Sequence, residues 1–148
     1  MGIFKLSAVF GYKHNINTDM PYIYSSKDLI CVDDSDSKFY NKITYKRGDE
    51  KSFEYMRRKD HQYELGIVVD HNKKAVHKRG SCIFMHIKKS KNSPTAGCTA
   101  MSLKDLKKII FWLNKKKNPI LIQIPKSSAK EILKLYPQLK SSKLLSKF

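Results

Sequence analysis

Acidic residues are scarce in this chain, which has 13 Asp and Glu against 30 Lys and Arg and a formal net charge of +17. A field of this sign favours anionic partners and narrows the macromolecular classes to nucleic acid, acidic lipid or acidic cell-wall material. The sequence contains no RNA-binding motif and no basic helix with interleaved aromatics, so it predicts no specific nucleic-acid partner. A lysine-rich genome would place the same charge on an ordinary solvated surface, so charge alone does not choose a partner.

Cysteines are few, and long apolar runs are lacking. Cys31, Cys82 and Cys98 form no CxxC pair and are odd in number. That pattern argues against a zinc knuckle or a complete disulfide framework and predicts at least one free thiol. No run reaches the roughly 20 apolar residues of a membrane span, and the opening MGIFKLSAVFGYKHN lacks the long apolar stretch of a secretory signal. We therefore predict no membrane span, no metal and no cofactor.

Apolar residues, by contrast, are plentiful enough for a core, at 41% of 148 residues, and this length suits one compact domain. The first 25 residues, rich in turn formers, predict short strand pieces joined by a long surface loop. Apolar and β-branched runs predict further strands at 29–32, 63–72, 81–88 and 120–124. We expect a mainly β fold with flanking helices (α+β), with a principal domain at 1–125 and a basic C-terminal helix or tail at 126–148.

Three helices are predicted. Residues 49–62 place acids before bases, as the helix dipole prefers. The clearest helix begins at Ser102, with Asp105 in a capping-box-like position, and ends near Asn118. A last helix begins at Ser128 with Glu131 as its return cap.

The strand SCIFMHIK carries a clear alternation. It puts Cys82, Phe84 and His86 on one face and Ile83, Met85 and Ile87 on the other. Both faces are predicted to be largely buried.

The segment from His86 to Ser102 has the residue types that nucleophilic catalysis needs. A thiol is only slightly ionised at neutral pH, so a nucleophilic cysteine requires a neighbouring imidazole or a helix-end field. Cys98 could receive both, with His86 reaching back across the loop. Gly97 lets the backbone approach a substrate, and the amides from Gly97 to Thr99 could form an oxyanion hole. The alternative is that Cys98 is a small buried hydrophobe and His86 a hydrogen-bonded core residue.

Several other side chains are candidates for the pocket. Thr95 and Ser81 could donate hydrogen bonds there or cap their own loops. Tyr12 and Tyr22 could wall a cleft or provide satellite packing, and His71 is either a pocket group or a solvated turn residue. A zinc site from Cys82, His86 and Cys98 lacks the usual spacing, and Cys31 and Cys82 are predicted to be core residues.

GSCIFMHI followed by SPTAGCTAMSLKDL resembles the catalytic block of the L,D-transpeptidases, the YkuD-like domain. FGY at 10–12, MPY at 20–22, CVDD at 31–34, YN at 40–41 and VVDHN at 68–72 are similar to that family's pattern, in order. The resemblance extends from Gly2 to about Pro125 and leaves out the basic tail. Members usually have a further strand or two before the segment that matches GIFKLSAVFGY, so an N-terminally shortened YkuD-like fold is expected.

The resemblance implies that Cys98 forms a thioester with a peptidoglycan stem peptide and that His86 is the general base. The acyl group then passes to an amine of another stem, giving a cross-link, or to water, giving a carboxypeptidase cut. It also implies a periplasmic or cell-envelope location, with anionic cell-wall polymer as a further partner.

Many members have a histidine where this chain has Ala96 and an arginine where it has Ala100. We expect Arg79 or His71 to supply the missing carboxylate-binding or orienting group. A non-catalytic basic wall-binding relic of the domain is the alternative from a different class.

Overall fold

The computed structural model describes residues 2–90 and 93–142, in which nine strands and two α-helices are formed. The strands are β1 (Gly2–Gly11), β2 (Tyr22–Tyr24), β3 (Leu29–Val32), β4 (Ile43–Tyr45), β5 (Phe53–Tyr55), β6 (Leu65–Val69), β7 (Phe84–Ile87), β8 (Thr99–Met101) and β9 (Ile120–Gln123). The helices are α1 (Leu103–Trp112) and α2 (Ala129–Leu135), with 3-10 turns at Lys115–Lys117, Lys126–Ser128 and Pro137–Ser141. The predicted mainly β architecture with a few short helices is confirmed.

The larger sheet has the order β2-β1-β6-β7-β8, and β9 also pairs with β1. Strand β1 runs parallel to β2 and antiparallel to both β6 and β9. Strand β7 lies between antiparallel β6 and parallel β8. The predicted strands at 29–32 and 120–124 are confirmed, and those at 63–72 and 81–88 are shorter than expected.

The two faces of this sheet pack against different partners. Val9, Ile67 and Met85 face α1, where they meet Leu106 and Ile110, and we call this group the helix cluster. The opposite face carries the aromatic cluster, whose buried members are Phe10, Leu29, Cys31, Met56, Tyr63, Cys82 and Phe84. The alternation of β7 is therefore confirmed, because its successive side chains enter these two cores in turn.

The smaller sheet has the order β4-β3-β5. A disulfide between Cys31 in β3 and Cys82, just before β7, ties it to the larger sheet, with 6.0 Å between the two Cα atoms. Both residues are buried, as predicted for core positions. The third cysteine, Cys98, has the free thiol that the odd number predicted. A disulfide of this kind is typical of oxidising compartments.

One prediction of local structure holds in part and another is wrong. The first 25 residues form two strands joined by a long loop, as predicted, but β1 is a ten-residue strand instead of a short piece, because the turn formers follow Gly11 rather than interrupt the strand. Residues 49–62 form β5 and turns instead of a helix. Side chains two residues apart lie on the same face of a strand. Phe53 and Tyr55 have this separation, and their rings meet edge to face at 5.2 Å between centroids.

The helix ends agree only in part with the sequence. The side chain of Ser102 accepts from the Asp105 amide at 3.1 Å, so the predicted N-cap of α1 is confirmed. The helix ends at Trp112, earlier than expected, and a 3-10 turn fills the interval before Asn118. Ser128 precedes α2 as predicted, but it makes no side-chain cap hydrogen bond there.

Residues 126–142 form short helical turns and α2, whose Ala129 and Ile132 are buried, while the remainder of the predicted tail, 143–148, lies outside the described residues. Within the described ranges, no helix combines the length and apolar character needed to cross a bilayer.

Candidate active site

Cys98 and His86 lie on the same face of the larger sheet. The parallel register of β7 and β8 sets His86 opposite Ala100, and Cys98 is two residues before Ala100. Strand spacing of about 4.8 Å and a rise of about 3.3 Å per residue make the two positions diagonal neighbours, roughly 8 Å apart between Cα atoms. Cys98 packs on the aromatic cluster, and the ring of His86 meets Tyr63 of that cluster at 5.3 Å between centroids.

Each of the two side chains is held by backbone groups. The Phe84 amide donates to the Sγ of Cys98 at 3.4 Å, and the thiol donates to the Cys82 carbonyl at 3.7 Å. The Nδ1 of His86 lies 2.8 Å from the Ile87 carbonyl. Because a carbonyl only accepts, Nδ1 carries the proton and Nε2 of a neutral imidazole has the free lone pair. None of the hydrogen bonds of the described residues joins His86 to Cys98.

The electrostatics keep the resting thiol protonated. Burial raises the pKa of Cys98 above its ordinary value, and the carboxylate of Glu54 adds to the effect. The Phe84 amide, the Arg58 guanidinium and the Tyr63 hydroxyl lower that pKa without cancelling the rise. An attack by Cys98 therefore needs a base that removes the proton as the sulfur reacts.

The prediction that a helix-end field acts on Cys98 is wrong. The sequence placed this residue just before a helix, but β8 lies between Cys98 and the start of α1. At about 3.3 Å per strand residue, the first turn of α1 begins more than roughly 10 Å further along the chain. The dipole effect is confined to the first turn of a helix, so it does not act on this sulfur.

The turn before Cys98 is shaped by Gly97 and Thr95. Gly97 has φ +125°, a backbone conformation that residues with a Cβ rarely adopt, so the turn favours glycine. The Thr95 hydroxyl donates to the Cys98 carbonyl at 2.6 Å, which makes Thr95 a cap of its own loop. The Thr99 hydroxyl accepts a hydrogen bond from the side-chain amide of Gln123 at 2.5 Å, which ties β8 to β9.

Three residues that sequence reasoning missed surround the thiol. The Tyr63 hydroxyl donates to Glu54 Oε2 at 2.6 Å, and the guanidinium of Arg58 lies over the Tyr63 ring at 5.1 Å. Burial, followed by the Glu54 carboxylate, raises the pKa of Tyr63, so its hydroxyl stays protonated. The side chain of Arg58 also pairs with Asp60, which holds the pKa of that carboxyl well below its usual range. The incorrect helix at 49–62 hid this group.

The candidate orienting groups His71 and Arg79 lie in the turn between β6 and β7. The Nε2 of His71 is 2.8 Å from the Arg79 carbonyl, and its ring contacts Phe4 edge to face. Arg79 is exposed and uses its backbone for that contact. Both therefore stabilise the turn. Ser81, half-buried, precedes Cys82 at the end of the same turn.

Tyr12 and Tyr22 do wall a cleft, as the sequence suggested, but a different one. Its volume is about 630 Å³, and α1 forms one side of it through Lys107 and Phe111. Neither Cys98 nor His86 lines it. Tyr12 also donates to the Arg58 carbonyl at 2.7 Å.

An open groove of about 740 Å³ lies along β5 and the loop after it. Its positive side chains are Lys27, Arg57, Arg58 and Lys59, and its acids are Glu54 and Asp60. Two residues that line this groove, Glu54 and Arg58, also change the pKa of Cys98 through their charges. The groove therefore lies near Cys98.

A metal centre has no support in the residues that the structure describes, which contain no group of three or more His, Cys, Asp or Glu positioned to bind one ion. The zinc alternative also fails chemically, because Cys82 is bonded to Cys31 and has no thiolate to offer.

Comparison with known proteins gives no relative: no family model, curated protein or solved structure matches this chain.

Proposed function

We propose that this chain is a cysteine acyltransferase of the L,D-transpeptidase type. The observation that supports it most is the placement of a free thiol just before β8 and an imidazole in the adjacent strand β7 on one face of the sheet, with the imidazole tautomer set by the Ile87 carbonyl. The motifs around Cys98 and His86, which resemble that family, give the substrate class.

In the proposed reaction the Nε2 of His86 accepts the proton of Cys98 as the sulfur attacks the carbonyl carbon of the substrate amide. The carbonyl oxygen becomes an oxyanion, which amides from Gly97 to Thr99 would stabilise. The C–N bond then breaks, the leaving amine takes the proton from His86, and a thioester remains. An incoming amine, deprotonated by His86, attacks the thioester and restores the thiol.

The proposed donor is a peptidoglycan stem peptide, cut at the L-centre carbonyl next to a terminal D-amino acid. The excess of lysine and arginine in the β5 groove suits the carboxylates of such peptides. Arg57 and Arg58 thus take the role expected of Arg79 and His71. With water as acceptor the same steps give an L,D-carboxypeptidase.

A cell-envelope location, including the periplasm, is part of the proposal. The Cys31–Cys82 disulfide supports it, because such bonds persist in oxidising compartments. The net charge of +17 would favour retention on an anionic wall polymer.

The test is intact-protein mass spectrometry after incubation with a tetrapeptide stem, followed by product analysis with and without an amine acceptor. Wild type should gain one acyl group on Cys98, and Cys98→Ala should gain none. His86→Ala should slow acylation by about 10² to 10⁴-fold, the range for loss of a general base. His77→Ala, which removes an exposed imidazole elsewhere, is the matched control and should react like wild type.

The double variant Cys98→Ala/His86→Ala should be no worse in turnover than Cys98→Ala, because the two residues serve one step. A cross-linked product identifies the transpeptidase and a shortened peptide identifies the carboxypeptidase. If folded wild type forms neither adduct nor product, the chain is a non-catalytic relic and the proposal is wrong.

A further inference from the structure

The outward face of α1 displays two adjacent large aromatic side chains. Phe111 is 65% exposed and Trp112 is 80% exposed. The inward face of the same helix is already packed, since Leu106 and Ile110 are buried in the helix cluster. Burying an aromatic ring is strongly favourable, so two neighbouring exposed rings indicate a surface that contacts something apolar.

Lysines surround these rings. Lys104, Lys107 and Lys108 are exposed on α1, and the 3-10 turn that follows the helix adds Lys115–Lys117. The acidic residue of the helix, Asp105, accepts a hydrogen bond from Ser102 at the cap. We call Lys104, Lys107, Lys108, Phe111 and Trp112 the basic aromatic patch.

We propose that the basic aromatic patch docks on the surface of an anionic lipid bilayer. Trp and Phe side chains are favoured at the membrane interface, where the ring enters the boundary between headgroups and acyl chains. Lysine ammonium groups at that depth pair with lipid phosphates, and an anionic leaflet attracts them. The helix would lie on the bilayer without crossing it.

The arrangement of the patch on one side of α1 favours a bilayer over a nucleic acid, although Lys107 and Phe111 also border the cleft beside the helix. Proteins that stack single-stranded bases combine their aromatics with a charged groove that follows the backbone. Here the rings lie at the end of a helix with its long axis along the protein surface, and the lysines flank them on the same outward side. A planar anionic surface can contact all of these groups together.

Trp112 is the only tryptophan of the sequence, so its fluorescence reports this patch alone. We would titrate the full chain with vesicles of pure phosphatidylcholine and with vesicles containing phosphatidylglycerol. The expected result is a blue shift of Trp112 emission and co-sedimentation with the anionic vesicles only. Raising salt from about 0.1 M to about 1 M, which shortens the Debye length from about 10 Å to about 3 Å, should reverse both.

Variants separate local docking from general charge attraction. The triple change Lys104→Gln, Lys107→Gln and Lys108→Gln should weaken vesicle binding by about a hundredfold, since each lysine contributes roughly a fivefold factor near an anionic surface. Its matched control, with the same loss of charge, is Lys51→Gln, Lys74→Gln and Lys78→Gln at exposed positions elsewhere.

Phe111→Gln should weaken vesicle binding by at least about tenfold, on the basis of the apolar area it withdraws. Tyr45→Gln, equally exposed at 65%, is the aromatic control and should bind like wild type. Equal losses in patch and control variants would overturn the proposal, as would vesicle binding with unchanged Trp112 emission. Binding of single-stranded RNA or isolated wall material, but not of vesicles, would overturn it in favour of that partner.

Discussion

Loss of the Cys31–Cys82 disulfide should destabilise the fold substantially, by an amount that follows from the loop it closes. The two cysteines are 51 residues apart in sequence. A cross-link over a loop of that length restricts the unfolded chain, and the chain-entropy relation gives a stabilisation of about 4 kcal/mol at 25 °C. Domains of this size are stable by about 5 to 15 kcal/mol, so the bond accounts for a large share of the total.

The same bond predicts an unusual pattern among mutants. Cys31→Ala, Cys82→Ala and the double variant should all lose about 4 kcal/mol, because each of them removes the same cross-link. Trimming each buried sulfur adds about 1 kcal/mol or less per site. Cys98→Ala leaves the bond intact and serves as the control.

Urea unfolding followed by circular dichroism measures these differences. With a slope of about 2 kcal/mol per molar urea, a loss of 4 kcal/mol lowers the midpoint by about 2 M. Wild type reduced with dithiothreitol should lose about 4 kcal/mol, and the double variant up to about 2 kcal/mol more because it also lacks both sulfurs. Identical midpoints for oxidised and reduced wild type, or losses that add in the double variant, would refute the reasoning.

Three further measurements test the thiol, its surroundings and the helix cap. Burial raises the pKa of Cys98, so alkylation by iodoacetamide should increase with pH to a midpoint above the roughly 8.5 of a free thiol. A midpoint below 7 would mean that the resting thiol is already ionised. Tyr63→Phe leaves Glu54 without its 2.6 Å donor and should lower the free energy of unfolding by about 1 to 3 kcal/mol; an unchanged urea midpoint would contradict that contact. Ser102→Ala removes the cap of the Asp105 amide and should cost about 1 kcal/mol, whereas Ser102→Asp should retain most of the stability. Equal midpoints for both Ser102 variants would show that the cap is not stabilising.

Patterns within a few neighbouring residues were sufficient to predict the alternation of β7 and the start of α1. The alternation of β7 is readable because each face of the sheet has its own core. The start of α1 is readable because Ser102 and Asp105 satisfy each other within one turn. Charge order misled the prediction for 49–62, because three-residue β5 is stabilised by pairing with β3, a partner that a local window does not contain.

The residues of the candidate site likewise fall into a pair that the sequence predicted and a group that it did not. Cys98 and His86 are close in sequence, and the motif predicted that His86 lies near Cys98, which the strand register supports by placing both on one face. Tyr63, Glu54 and Arg58 join them through the packing of the smaller sheet on the aromatic cluster, and no spacing in the sequence encodes that contact. The disulfide was missed for a related reason, since an odd cysteine count does not say which two residues meet in space.

The position of β1 in the larger sheet affects how the chain reaches its native state. Gly2 in this strand pairs with Gln123, far along the chain, and the same strand also pairs with β6. Contacts between segments so distant in sequence form late, because the entropy of closing the intervening loop must be overcome first. We therefore expect slow folding in which β1 keeps an unpaired edge until β9 arrives, a stage at which such an edge can pair with other chains.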